Sequence, residues 1–164
     1  MLRLVLVIAA IVGLSAPAYA AKPGLFEGLF GRSSVVRAAP AQVKGPLTIT
    51  VDISTQTMTV SADKRTIYVF DVSTGRRGYG TPTGKYRPIR MHEMWYSSQY
   101  ENAPMPHAIF FYGGYAIHGT TDIAHLGQVA SHGCVRLHPD NAARLFELVE
   151  RVGMKNTRIT LVRS

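Results

Sequence analysis

From Leu47 onward, hydrophobic and polar positions alternate. Leu47, Ile49, Val51 and Ile53 interleave with Thr48, Thr50 and Asp52, the period-two pattern of a strand with one buried face. Met58 and Val60 resume the alternation after Ser54-Thr55-Gln56. The turn Ser61-Ala62-Asp63-Lys64 then leads into a third run, Arg65 to Val72, through Ile67, Val69 and Phe70. Three short strands joined by tight turns predict an antiparallel meander. Two further β-prone runs, Ala108 to Tyr112 and Tyr115 to His118, flank Gly113-Gly114 and predict a hairpin.

The period changes to 3.6 once, where Ala142, Leu145, Phe146, Val149 and Val152 form a helical stripe. Pro139 suits the first helical position, Asp140 lies near the positive helix end, and Gly153 supplies the stop. The stripe reads as core rather than as a cofactor box. A closing strand, Thr157 to Val162, turns Ile159 and Leu161 to one face. The pattern therefore predicts a mostly β (α+β) domain over residues 46–164, with one packed helix in its C-terminal half.

Between these elements the signals weaken. Thr74 to Arg90 is rich in Gly, Arg, Thr and Pro and reads as a loop, with strand character returning at Tyr86. It has no Gly-Lys-Ser/Thr opening a helix, which argues against a phosphate loop. His92 to His107 reads as a flap, with Trp95 packing within it.

The N-terminus is of a different kind. Arg3, the apolar run Leu4 to Leu14 and Ala18-Tyr19-Ala20 fit an export signal over residues 1–20. The run is short of the ~20 residues that a membrane span needs, so no stable span is expected after cleavage. Residues 21–45, small, basic and broken by Gly, Pro and Ser, read as a flexible linker.

Composition changes the picture little: 46% hydrophobic and 17% charged residues are those of a globular chain. The formal charge of +8 favours polyanions in general. The charges are scattered and no basic-aromatic motif is present, so nucleic acid is not an expected partner. Cysteine usage matters more. Cys134 is the single cysteine, so an exported chain has no internal disulfide to form and carries a free thiol.

That thiol sits in Ser131-His132-Gly133-Cys134-Val135-Arg136-Leu137, with a second histidine upstream in Ile117-His118-Gly119-Thr120. A thiol of pKa about 8.5 is only a few per cent ionised at neutral pH, and a nearby cation lowers that value. Imidazoles and a guanidinium around a lone thiol therefore predict a nucleophile at Cys134, its pKa pulled down. Either histidine suits the base. His132 shares a face with Cys134 on an extended segment without facing it, whereas His118, ending another strand, can approach from across the site. Backbone N–H groups of His132, Gly133 and Cys134 would form an oxyanion hole if Gly133 takes a conformation closed to other residues. Arg136 would lower the thiol pKa or clamp a substrate carboxylate, and Ser131 would brace the loop. His125 and His138 read as surface residues. Only His132 and His138 stand at a paired ligand spacing (H-x₅-H) and no second pair accompanies them, so no metal and no cofactor is expected.

These motifs resemble the L,D-transpeptidase (YkuD-like) catalytic domain: the Ile117–Thr120 and Ser131–Leu137 segments, with Gly80-Thr81-Pro82-Thr83-Gly84-Lys85-Tyr86 upstream. The resemblance implies a β-sandwich of mixed sheets with the site on its edge, and Tyr86 near the donor cleft. It assigns the base to His118, oriented by the Gly119 carbonyl, and a substrate-side role to Arg136. The implied activity is on peptidoglycan stem peptides, in the periplasm or cell envelope. Cys134 would cleave the bond after the third residue of a tetrapeptide and pass the acyl group to an amine, on a second stem or a wall-anchored protein. A hydrolase on the same fold is the alternative; a non-catalytic wall-binding module fits the thiol and imidazole less well.

Overall fold

The predicted meander is present as β1 (Leu47–Asp52), β2 (Thr57–Ala62) and β3 (Arg65–Asp71), paired antiparallel in sequence order. Asp63 and Lys64 join β2 to β3 with φ of 49° and 60°, the doubly left-handed turn whose twist matches that of the flanking strands. The structure, a computed structural model, describes Val43 and residues 45–164; the predicted export signal and all but two positions of the predicted linker lie outside the described residues.

The last strand, β9 (Thr157–Val162), lies parallel to the first, in register from Leu47↔Thr157 to Asp52↔Val162. With β4 (Gly84–Tyr86) on its far side, the first sheet runs β3-β2-β1-β9-β4. The second sheet contains β5 (Arg90–Tyr96), β6 (Pro104–Tyr112), β7 (Tyr115–Gly119) and β8 (Val135–Leu137), in that order, with β7 and β8 parallel. Both sheets are therefore mixed. They share one core with α1 (Pro139–Val152): Ile49, Val51 and Val60 from the first sheet, Ile109, Ile117 and Val135 from the second, Leu145, Phe146 and Val149 from the helix. This is the expected mixed-sheet, mostly β architecture with one helix.

The helix starts at Pro139, with His138 as its cap: the His138 ring accepts from the Asp140 amide at 3.3 Å. Leu148 joins the predicted stripe, while Val152 is only half-buried.

Two segments differ from expectation. Within Thr74 to Arg90 the strand character foreseen at Tyr86 is present as β4, while Gly75, in the part read as loop, bridges to Ser131. The predicted flap, His92 to His107, is mostly β5 and the start of β6, with a tip at 97–103. The tip closes where the Ala103 amide donates to the Tyr100 carbonyl (2.8 Å) around Glu101 and Asn102, both at positive φ. β5 escapes a period-two reading because it is an edge strand with no fully buried side chain.

His107, at φ 53° within β6, reverses the phase of the pleat. Ala108 and Phe110 face the same side as Met105 despite the odd spacing, and together with Ala116 they make a second small apolar cluster. This cluster floors the site.

Candidate active site

The parallel pairing of β7 and β8 aligns Ile117 with Val135, His118 with Arg136 and Gly119 with Leu137. Strand alternation sends Ile117, Val135 and Leu137, all 0% exposed, into the shared core. His118, Arg136 and Cys134, two residues before Arg136, therefore turn to the other face. There they line one cleft of about 310 Å³, between the tip of the β5–β6 hairpin and the loop before β8.

His118 is 6% exposed, and its Nδ1 lies 2.7 Å from the Gly119 carbonyl oxygen. A carbonyl only accepts, so Nδ1 carries the proton and Nε2 the lone pair. Burial drives the ring's pKa down to about 4, against the Gly119 bond and with the help of the Arg136 charge. The imidazole is neutral at pH 7. Gly119 is tightly packed: a Cβ would stand 3.0 Å from the Pro106 side chain and 3.2 Å from the Pro139 backbone.

Cys134 rests against the floor cluster, with Sγ 3.9 Å from the Gly114 carbonyl oxygen. Its pKa differs from expectation. Burial pushes the thiol above its ordinary value, outweighing the Ala116 backbone bond and the Arg136 charge, which both favour the thiolate. A cation is nearby, as foreseen, but desolvation wins.

The loop before Cys134 is tied internally. The Ser131 hydroxyl accepts the Gly133 amide (3.0 Å) and donates to the Cys134 carbonyl (2.6 Å). Gly133 takes φ 112°, and a Cβ there would come within 2.6 Å of the Tyr115 ring. Because its amide is spent on Ser131, the Gly133 N–H is not free for the oxyanion hole foreseen for it.

His132 lies between aromatic rings, stacked on Tyr100 (4.3 Å) and edge-on to Tyr79 (4.7 Å). Its Nε2 is 2.5 Å from an Arg76 guanidinium nitrogen. Arginine only donates, so the His132 lone pair is occupied. Desolvation, Arg76 and Arg136 together hold its pKa low.

Tyr86 does not line this cleft. Its β4 register opposite buried Ile159 turns it against Phe111 and Tyr112, beside a separate hollow. The upstream motif reaches the site through Thr81 instead, whose hydroxyl accepts the Gly75 amide and donates to the Gly133 carbonyl, both at 2.8 Å.

Sequence reasoning also missed Asp122, which pairs with Arg136 (3.3 Å) and with exposed His125 (2.6 Å). Only its closeness to His118 in the chain could have pointed to it. Arg76 and Tyr100 gave no local signal. Among the described residues, no three His, Cys, Asp or Glu side chains are grouped to hold a metal ion.

A family model for the L,D-transpeptidase catalytic domain (YkuD) matches residues 46–160. The chain belongs to that family. It is 30% identical over 148 residues to "Putative L,D-transpeptidase YkuD" of Bacillus subtilis (strain 168), with 87% of this chain and 83% of that one covered. A solved L,D-transpeptidase from Stackebrandtia nassauensis matches with a TM-score of 0.64 at 28% identity, over 73% of this chain and 56% of that one. One from Mycobacterium smegmatis shares the fold, with a TM-score of 0.64 at 24% identity, over 71% and 58%. This L,D-transpeptidase domain thus spans less than two thirds of those solved chains.

Proposed function

We propose that the chain is a peptidoglycan L,D-transpeptidase whose nucleophile is Cys134 and whose general base is His118. The observation that carries this reading is a thiol and a buried neutral imidazole lining one cleft, with the imidazole proton fixed on Nδ1 by Gly119. Both groups are uncharged at rest, so the proton moves only as the new bond forms. Sγ attacks the carbonyl carbon of the third residue of a tetrapeptide stem while Nε2 takes the thiol proton. The oxyanion is met by the His132 and Cys134 amides. As the C–N bond breaks, the imidazolium returns its proton to the leaving D-alanine amine, and a thioester remains. An acceptor amine then attacks, gives up its proton through His118 and releases the Cys134 sulfur, which is reprotonated.

The Arg136 charge, fixed by Asp122, faces the same space and suits the substrate side. Export through residues 1–20 would bring the domain to its polymer. Among the described residues, no helix is long and apolar enough to cross a membrane.

The test is incubation of residues 43–164 with a purified tetrapeptide stem, products read by mass spectrometry. Cross-linked dimers are expected; tripeptide alone would make water the acceptor, and no acyl adduct on Cys134 would end the reading. A carbapenem, itself an acylating amide, is expected to leave a covalent adduct on the peptide containing Cys134.

A further inference from the structure

Building on the proposed acyl-transfer reading, we propose that Arg90 is a specificity residue: it binds a free carboxylate on the acyl-donor peptide and makes the cleft prefer acidic donors to amidated ones. Arg90 opens β5 directly across from Phe110, on the face that carries Cys134. Its guanidinium carbon lies 3.7 Å from the Phe110 ring centroid and 5.8 Å from that of Trp95. The flat face of the cation is therefore covered by aromatic carbon, leaving its N–H edge for a planar, two-pronged partner.

The cleft does not satisfy that edge. Its one hydrogen bond is long, 3.5 Å to the Gly113 carbonyl oxygen. The charged residues lining the cleft are Arg90, Asp122 and Arg136, and Asp122 is matched to Arg136 at 3.3 Å. His118 is neutral. The net positive charge of the site is thus carried by Arg90, which has no carboxylate within ion-pair distance among the described residues. A half-buried arginine whose guanidinium lies against aromatic rings loses little freedom on binding, and its preferred ligand is a carboxylate, taken bidentate. A carboxamide of the same shape offers no charge and only one acceptor oxygen.

Binding is measured on Cys134→Ala protein, which holds the donor without turnover. The ligands are a tetrapeptide stem and versions in which each carboxylate is changed to a carboxamide, one at a time. One amidation is expected to weaken binding about tenfold. In the Cys134→Ala/Arg90→Gln protein that preference collapses to near unity, and Arg90→Lys, which keeps the charge without the planar fork, restores part of it. With Cys134 present, the loss in Arg90→Gln falls on KM for the acidic donor and leaves kcat little changed. Alkylation of Cys134 by neutral iodoacetamide is expected at the wild-type rate in Arg90→Gln, which certifies an intact fold. Equal weakening of all donors by Arg90→Gln, or indifference of the Arg90 protein to every amidation, would overturn the proposal. Selective binding without acyl transfer would instead overturn the proposed function and leave the Arg90 subsite standing.

Discussion

His118 Nδ1 donates its N–H to the Gly119 carbonyl, while His132 Nε2 receives the Arg76 guanidinium, so only His118 has a lone pair to lend. His118→Ala is expected to lower the rate of Cys134 acylation by at least ~10²-fold, and His132→Ala by clearly less. Time-resolved intact-mass measurement of the acyl-enzyme checks the order, and the reverse order would hand the base to His132. The depressed His118 pKa also fixes a stability window. Between the unfolded value of 6.5 and the folded value of about 4, the unfolded chain binds one more proton, so stability rises with pH across that interval. About 3 kcal/mol should therefore be lost as pH falls from 6.5 to 4, at ~1.4 kcal/mol for each pH unit crossed. Urea melts show this slope if the buried ring is neutral, and His118→Gln removes it. Cys134 acts at the other end: its raised pKa makes stability fall as pH climbs past the ordinary thiol value, and Cys134→Ala abolishes that limb. At this scale the sequence exposed the thiol and the imidazole, because a lone cysteine among basic residues is an unusual composition. It hid Arg76, Tyr100 and Asp122, whose chemistry is made by distant segments, and it misjudged the thiol because burial cannot be read from neighbours in the chain.

At the scale of elements, the loop before β8 owes its shape to Thr81, Ser131 and Gly133. Thr81→Val would leave the Gly75 amide and Gly133 carbonyl without their partner, at a cost of about 1–3 kcal/mol. Gly133→Ala must hold φ 112° and push into Tyr115, so about 1–3 kcal/mol of backbone strain is expected before any clash. Both variants should lose more acylation rate than stability, as seen by comparing thermal melts with single-turnover rates; proportional loss would mean the loop has no positioning role. The meander and α1 were legible because each buries a full, regular face. β5 was not, being an edge strand, and β8 is only three residues long. The pleat reversal at His107 has no sequence signal, since histidine carries no rule demanding positive φ.

For the molecule as a whole, the strongest constraint joins its two extremes: β1 is flanked by β2 on one side and by β9 on the other, and β4 touches the sheet only through β9. Deleting residues 157–164 would strip Ile159 and Leu161 from the core, leave β4 unpaired and expose one edge of β1. Such a chain is expected to lose its cooperative unfolding transition by circular dichroism. Ile159→Ala alone should cost about 2–5 kcal/mol. A polypeptide that emerges amino end first cannot complete this sheet until β9 arrives. Until then β1 waits with one hydrogen-bonding edge open, so the fold's own wiring postpones locking until residues 157–162 have emerged.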